Sequence, residues 1–447
     1  MMKRLKLNKL SSLILLVMMY FIMSAIMYLI IRQKFIWNGD DVYYQFQRIQ
    51  GIQHSFKVGV FPTLSTMNFG RIGYGVNLFY PWLTLVPFGI VGMFTNNLIS
   101  TYYITLGLLF FVSFLVSHYS MYKLSGSTNQ SIAFSLIYNF CNYRLIELIP
   151  RASLAEYIAT IFLPLCFVGL YEILYRNYRS WYILAIGMSL IVMTHVLTSF
   201  MTVILFVIIL AVSVPKMDQR IKRIVALGYA ALTTFLLSAA YLIPFLAEEK
   251  FQKYGQPDPQ KLVGTDFWQS IVMGFNNSSS RMVEGNYYNI GAAMLIVIIV
   301  GLISFRKIDF TNKSIYVLGV VIFLVSTSIF PWHVFQNTPL ALIQFPFRLL
   351  MFTSMFLSVT GSYLFMLYFN GAEPQAGTSS GNLKREPQAG TSSGNLKREP
   401  QAGTSSGNLK REPQAGTSSG NLKREPQAGT SSGNRLNIVF SNRACTC

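Results

Sequence analysis

The acidic residues that could carry chemistry are few. The chain has 447 residues but only 17 Asp and Glu. Asp40 and Asp41 are adjacent in "FIWNGDDVYYQFQRIQ", directly after an apolar segment, and Glu156 lies in "RASLAEYIATIFLPL". A carboxylate at a membrane face can act as a general base that removes a proton from an attacking hydroxyl. We therefore predict Asp40, Asp41 and Glu156 as catalytic residues, although solvated loop charges or helix N-caps would give the same pattern.

The same carboxylates suggest a possible cofactor. Two or three oxygen ligands together can hold a divalent cation such as Mg²⁺ or Mn²⁺. If the protein uses a metal, we expect it at Asp40 and Asp41. The four cysteines of the chain form no metal framework, so they add no second candidate.

Three further residues fall at the same predicted membrane face and could bind substrate. Arg151 comes five residues before Glu156. Arg348 stands in "QFPFRLLMF" and His195 in "MTHVLTS". A guanidinium can bind phosphate oxygens with two parallel hydrogen bonds, which makes Arg151 and Arg348 candidate phosphate ligands. Two alternatives stay open, because Arg348 could extend to the membrane interface and His195 could be a hydrogen-bonded packing group.

The composition indicates the class of protein. Hydrophobic residues make up 52% of the chain and charged residues 12%, whereas soluble domains average about 25% charged residues. The formal net charge of +19 could indicate nucleic-acid binding. However, the basic residues lie in short loops between apolar runs, where they usually set membrane topology. We therefore expect membrane lipids, and not nucleic acid, as partners.

The apolar runs predict an all-α polytopic membrane protein with about ten transmembrane helices. A bilayer-spanning helix needs roughly 20 mostly apolar residues. The candidate spans are about 11–31, 98–119, 129–147, 156–175, 181–197, 199–214, 224–245, 291–305, 314–332 and 347–369. The stretch "LFYPWLTLVPFGIVGMF" contains two prolines and is more typical of a helix in the membrane interface. "THVLTS" is predicted to be a tight turn between two spans.

The basic residues also orient the predicted spans. The N-terminal "MMKRLKLNK" precedes the first span, and the positive-inside rule places it in the cytoplasm. Alternating spans then put the other basic loops and the C-terminus inside a bacterial cell membrane. The outside holds a large first loop at about 32–97 and a short second loop at about 148–155. All the candidate site residues fall at this outer face.

The C-terminal segment has a different composition. The 13-residue sequence "EPQAGTSSGNLKR" occurs four times in succession, without a change, from Glu373 onwards. It is rich in Gly, Ser, Pro and Gln and contains almost nothing apolar, so it cannot bury enough surface to fold. We divide the chain into a transmembrane domain at 1–370 and a disordered cytoplasmic tail at 371–447.

Several stretches taken together resemble a known superfamily. In chain order they are "GDDVYYQFQRI", "FPTLSTMNFGRIGYGVNLFYPWL", "PRASLAEYIATIFLPL", "THVLTSF" and "QFPFRLL". This combination resembles bacterial polytopic membrane proteins related to the GT-C glycosyltransferases, which include the protein mannosyltransferases. The resemblance covers about residues 10–369 and implies a GT-C-like fold.

The resemblance also implies a function. Such enzymes take a sugar from a polyprenyl-phosphate donor and transfer it with inversion to an acceptor outside the membrane, a cell-surface glycopolymer or a protein. It implies an acidic residue in the first outer loop, which maps onto Asp41 or the pair Asp40–Asp41, and a second one that maps onto Glu156. A non-catalytic scaffold and a flippase for a lipid-linked saccharide stay open as alternatives. So does a truncated product, because relatives commonly continue where this chain passes into repeats.

Overall fold

The computed structural model describes residues 9–36, 39–60, 63–71, 73, 75–251, 262–278 and 288–369. These residues are mainly helical and contain no β-sheet; their extended pairing is an isolated bridge between Thr265 and Thr327. The predicted disordered tail at 371–447 lies outside the described residues. The fold class predicted from the sequence, an all-α polytopic membrane protein, is confirmed.

The α-helices of the described residues follow one another along the whole of this part of the chain. They are α1 (Lys9–Ile31), α2 (Val42–Val58), α3 (Val76–Phe79), α4 (Val86–Gly92), α5 (Leu98–Ser125), α6 (Thr128–Asn139), α7 (Asn142–Leu148), α8 (Leu154–Tyr175), α9 (Trp181–Val192), α10 (Val196–Ser213), α11 (Arg220–Phe251), α12 (Phe267–Phe275), α13 (Ala292–Ile303), α14 (Phe310–Ser326) and α15 (Leu350–Phe369).

Within the described part of the chain, six helical segments are long and apolar enough to cross a membrane. They are Lys9–Ile31, Leu98–Ser125, Leu154–Tyr175, Val196–Lys216, Arg220–Phe251 and Pro346–Phe369. Shorter apolar helices cover the predicted spans near α9, α13 and α14. The predicted total of about ten spans therefore stays a prediction, whereas the polytopic character is established by the longer helices.

One predicted span is interrupted. The run at 129–147 forms two helices, α6 and α7, because Cys141 has extended backbone angles (φ −60°, ψ 133°). Just before the break, the Asn139 side chain donates to the Ser135 carbonyl and accepts a hydrogen bond from Arg144 Nη1 at 2.7 Å. The prediction of one continuous span was wrong here, because the mean hydropathy of the run is dominated by its apolar residues. The break places α7 as a short separate helix just before the loop that carries Arg151.

The ends of α5 show how the sequence sets helix limits here. The Asn97 side chain accepts hydrogen bonds from the backbone N–H groups of Ile99 and Ser100, at 2.8 and 3.2 Å, which caps the first turn. Gly126 follows the last helical residue with a left-handed backbone (φ 70°), a conformation that glycine adopts without strain. The chain therefore turns back sharply into α6.

Close packing of α8 on α9 depends on small residues in both helices. A Cβ atom at Gly169 would collide with the backbone of Leu184, and one at Gly187 would collide with Cys166. Small residues let helix backbones approach in a membrane, where apolar surface alone gives little driving force for association. Both α8 and α15 are buried along most of their lengths. The N-terminal end of α8, which carries Glu156, is itself buried in protein.

Candidate functional site

The loop between α7 and α8 positions the first charged group. The backbone N–H of Arg151 donates to the Ile146 carbonyl at 3.0 Å, and that of Ser153 donates to the Glu147 carbonyl at 2.9 Å. Ala152 between them has a left-handed backbone (φ 54°), which is uncommon for a residue with a side chain. This tight turn brings Arg151 back over the end of α7.

Arg151 pairs with two buried glutamates. Its Nη1 atom donates to Glu147 Oε2 at 2.6 Å and to Glu156 Oε2 at 2.8 Å. Both carboxylates are fully buried. The glutamates come from opposite sides of the turn, Glu147 from α7 and Glu156 from the first turn of α8. A single guanidinium thus joins the two helices that flank the turn.

Arg348, which precedes α15, is the second cation at this place. Its Nε atom lies 3.4 Å from Glu156 Oε2. Its Nη1 atom donates to the Ile343 carbonyl and to Gln344 Oε1, both at 2.9 Å. The hydroxyl of Tyr143 donates to Glu156 Oε1 at 2.9 Å. We refer to Glu147, Arg151, Glu156 and Arg348 as the ion network.

The ion network balances its own charge. It contains two carboxylates and two guanidinium groups, all buried or nearly so. Burying an ion costs several kcal/mol unless its partners compensate, and here every charge has an opposite charge within contact distance. Two buried polar atoms of the ion network, Glu147 Oε1 and Arg348 Nε, have no hydrogen-bond partner among the described residues.

Asp41 lies at the edge of the ion network. Its backbone N–H donates to the Arg151 carbonyl at 3.1 Å, and a Cβ atom at the preceding Gly39 would collide with the Pro150 carbonyl oxygen. The start of α2 is therefore fixed to the turn that carries Arg151. Burial raises the pKa of the Asp41 carboxyl above its ordinary value of 3.8, against the attraction of Arg151. Because the ion network is already balanced, the Asp41 carboxylate adds negative charge in excess.

Asp40, next to Asp41 in the chain, is exposed. The Tyr288 hydroxyl donates to Asp40 Oδ2 in a long hydrogen bond of 3.4 Å. The Tyr288 ring stacks on Phe347 with 3.6 Å between the ring centroids. The pKa of the Asp40 carboxyl is raised by partial burial, although Arg151 and Tyr288 oppose the shift. Asp40 therefore lies at the exposed edge of the site and not among its buried groups.

His195 stands in the turn between α9 and α10. The predicted turn "THVLTS" is correct only for its first two residues, because α10 begins at Val196. The His195 Nδ1 atom is 2.7 Å from Thr198 Oγ1, so the ring is held by a local hydrogen bond. It makes no ion pair with Glu156 among the described residues. A substrate-binding role for His195 stays a prediction.

The structure thus brings five of the predicted site residues together from three distant parts of the chain: Asp40, Asp41, Arg151, Glu156 and Arg348. The sequence analysis assigns no role to Glu147, although it is a fourth carboxylate at the site, after Asp40, Asp41 and Glu156. Glu147 precedes Arg151 by four residues, and this spacing is the feature of the sequence that indicates an ion pair between them. No group of three or more His, Cys, Asp or Glu in the described residues is arranged to hold a metal ion, and the predicted divalent cation stays a prediction.

The fold and this site define a polytopic membrane protein of helices with a buried ion network. A family model described as the 6-pyruvoyl-tetrahydropterin synthase related domain, a membrane protein, matches residues 78–368. The chain therefore belongs to this family. The match includes the whole ion network and excludes Asp40 and Asp41. No curated protein and no solved structure gives a significant match.

The family match corrects one expectation from the sequence. The resemblance to the GT-C superfamily is wrong as a family assignment, because the matched family is a different one. The stretches that carried the resemblance combine acidic, aromatic and glycine residues near apolar runs. Such residues suit the surface of many membrane proteins, so their order along the chain did not specify a family.

Proposed function

We propose that the protein transfers a sugar from a polyprenyl-phosphate donor to an acceptor outside the bacterial cell membrane, a surface glycopolymer or a protein. The proposal depends on one observation. A carboxylate, Asp41, is held by the backbone at the edge of an ion network that needs no further negative charge. A carboxylate in that position is free to accept a proton.

The reaction assigned to this site is a single displacement. Asp41 removes the proton of an acceptor hydroxyl as its oxygen forms a bond to the anomeric carbon of the sugar. The bond from that carbon to the phosphate oxygen breaks, and the polyprenyl phosphate leaves with the electron pair. The raised pKa of the Asp41 carboxyl supports the role, because a more basic carboxylate accepts a proton more readily.

The ion network is assigned to positioning. Glu156 already contacts Arg151 and Arg348, so a phosphate would have to compete with a buried carboxylate for either guanidinium. The Arg151 carbonyl, in contrast, accepts directly from the backbone of Asp41. We therefore infer that the ion network holds the turn between α7 and α8 in place, and that this turn positions Asp41, the proposed base. Asp40, exposed beside it, is assigned to the acceptor side of the site.

The orientation of the site completes the proposal. The positive-inside rule places the start of α2 and the turn before α8 outside. Sugars bound to polyprenyl phosphate are used on that side when the acceptor is a surface polymer. The N-terminus and the C-terminus are then cytoplasmic.

The experiment compares acid-to-amide variants in a deletion strain. Asp41→Asn should lower sugar incorporation into surface polymers by about 10²–10⁴-fold, the usual contribution of a general base. Glu249→Gln is the matched control, because Glu249 is exposed at the end of α11 and far in sequence from the site. A lipid-linked sugar should accumulate with Asp41→Asn. Full incorporation by this variant, at equal amounts of inserted protein, would contradict the proposal.

A non-catalytic scaffold is the alternative that one observation favours. The ion network satisfies its charges within the chain and so needs no substrate to be stable. A scaffold requires folding but no base. It therefore predicts that Glu156→Gln abolishes function through loss of the fold, while Asp41→Asn leaves function intact.

A further inference from the structure

A second buried arginine lies outside the ion network. Arg48 is in α2, seven residues after Asp41, and is 1% exposed. Its Nε atom donates to Asn77 Oδ1 at 3.2 Å, Nη1 to Gln45 Oε1 at 3.2 Å and Nη2 to the Tyr80 carbonyl at 2.8 Å. All three acceptors are neutral, and no carboxylate pairs with Arg48 among the described residues.

A small polar cavity opens beside Arg48. We refer to it as the Arg48 pocket; its walls include Arg48, Gly51, His54, Ser65, Thr66 and Asn77. The enclosed part of the pocket has a volume of about 10 Å³, which is roughly what one water molecule requires. Arg48, Ser65 and Asn77 are buried, whereas His54 and Thr66 are exposed. The buried residues therefore form the floor, and the exposed ones form the mouth.

The hydroxyl of Ser65 is an independent sign of a ligand. Ser65 is 6% exposed, and its Oγ atom has no hydrogen-bond partner among the described residues. A buried hydroxyl without a partner costs free energy that a bound acceptor or donor would recover. Gly51 lies on the opposite wall, where a Cβ atom would be 3.9 Å from Ser65 Oγ. The absence of a side chain at Gly51 keeps this space open.

We propose that the Arg48 pocket binds a phosphate oxyanion, with one oxygen on the floor between the Arg48 guanidinium and the Ser65 hydroxyl. A guanidinium has more N–H groups than the three bonds above use, and hydrogen bonds from a charged donor to an oxyanion are the stronger kind. The remaining phosphate oxygens and the group esterified to them stay at the mouth, beside His54 and Thr66.

The anion site itself depends only on the pocket, but the choice of phosphate depends on the proposed function. Arg48 lies seven residues after Asp41, the N-cap of α2, which corresponds to about 10 Å at 1.5 Å per residue. Seven residues are close to two helical turns, so both residues are on one side of the helix. A donor phosphate at Arg48 would therefore leave its sugar on the side of α2 that carries Asp41. A lipid phosphate and free inorganic phosphate share this chemistry.

The test measures binding and not turnover, so that it stays separate from the proposed function. Full-length protein in maltoside micelles, which contain no phosphate, is titrated with a polyprenyl monophosphate, with the matching polyprenol, and with inorganic phosphate. Binding of the monophosphate with much weaker binding of the polyprenol supports the site. Inorganic phosphate that competes indicates a site for phosphate alone, and failure to compete indicates that the lipid chain contributes.

Three variants locate the site. Arg48→Gln should weaken monophosphate binding by about 10- to 100-fold, the effect of a lost charged hydrogen bond. Ser65→Ala and Gly51→Ala should weaken it by about 3- to 10-fold with an unchanged or higher unfolding temperature, since one removes an unpartnered hydroxyl and the other fills space. Arg71→Gln, an exposed arginine of the same loop, is the charge-matched control and should bind normally.

Each outcome decides the proposal. Monophosphate binding that Ser65→Ala and Gly51→Ala leave unchanged would overturn it, even if Arg48→Gln fails to fold. Equal binding of polyprenol and its phosphate, or equal losses in Arg48→Gln and Arg71→Gln, would also overturn it. If the variants lose binding but the wild type transfers no sugar, the anion site stands and the proposed function fails.

Discussion

The ion network and the Arg48 pocket bury a guanidinium in opposite ways. In the ion network each arginine contacts a carboxylate of the same chain, and Glu156 is shared between Arg151 and Arg348. In the Arg48 pocket the guanidinium donates to neutral oxygens and lies over the rings of Tyr44 and Tyr80. A cavity with an unpartnered hydroxyl lies beside it. The ion network balances its charges without a ligand, although Glu147 Oε1 and Arg348 Nε have no hydrogen-bond partner among the described residues. The Arg48 pocket contains a cation that is paired with no carboxylate among these residues.

Asp41 lies between these two regions. It is held by the backbone of Arg151, and its carboxylate also acts electrostatically on Arg48. The comparison teaches that the residues with the strongest contacts are not the best candidates for chemistry. We propose that the ion network supports the site, whereas the excess charges, negative at Asp41 and positive at Arg48, interact with a substrate.

The largest effect that we expect is on stability, in the ion network. Glu156→Gln removes one carboxylate and leaves buried positive charge without compensation, which should lower the free energy of unfolding by about 3–5 kcal/mol. Glu249→Gln should change it by less than about 0.5 kcal/mol. Thermal unfolding of the purified protein in detergent measures both.

A double variant sharpens this prediction. Removing Arg348 together with Glu156, as Glu156→Gln with Arg348→Gln, restores the charge balance of the ion network. The double loss should be smaller than the sum of the single losses by about 0.5–3 kcal/mol. Strictly additive losses would mean that the two residues are not coupled and that the ion network is not one unit.

The next effect is the pH dependence of sugar transfer. Burial raises the pKa of the Asp41 carboxyl above 3.8, so the deprotonated base is present above that raised pKa and is lost as the pH falls through it. The rate should therefore fall by about tenfold per pH unit on the acid side. Asp40→Asn should keep this acid limb, and Asp41→Asn should lack it. An acid limb that persists in Asp41→Asn would assign the titration to another group.

The smallest effect that we expect is on the stability of Gly51→Ala. This substitution should stabilise the protein, whereas Glu156→Gln in the ion network should destabilise it. Gly51 lies within α2, where alanine is more favourable than glycine by about 0.5–1 kcal/mol, and the added Cβ atom would make only ordinary contact. Gly51→Ala should therefore stabilise the protein slightly while it weakens phosphate binding. A variant that loses stability would show that the pocket is tightly packed rather than open.

Much of the fold and part of the site could be predicted from the sequence. Apolar runs predict the helical membrane architecture, which is confirmed. Their topology also predicts Asp41, Arg151, Glu156 and Arg348 at one membrane face; the structure brings these residues together, and the face stays a prediction. Arg48 could not be found in this way, because its importance depends on the neutral partners Asn77 and Tyr80 and on a cavity. Side-chain partners from distant parts of the chain leave no pattern in the local sequence.

Two other features of the protein could not be predicted from the sequence, for physical reasons. The break at Cys141 depends on polar contacts of Asn139 and Arg144 inside an apolar run, and hydropathy averages over such contacts. The family assignment failed because short motifs of aromatic and acidic residues occur at many membrane surfaces. In both cases the composition of a segment indicated its location but not its partners.

One measurement tests the central claim, that Asp41 is the base of a lipid-dependent sugar transfer, most directly. Purified wild-type protein, Asp41→Asn and Glu249→Gln are supplied in detergent with a polyprenyl-phosphate sugar and an acceptor, at equal concentrations of folded protein. We predict rapid transfer by the wild type and Glu249→Gln and a rate lower by about 10²–10⁴-fold for Asp41→Asn. Equal rates for all three proteins, or no transfer by the wild type, would contradict the claim.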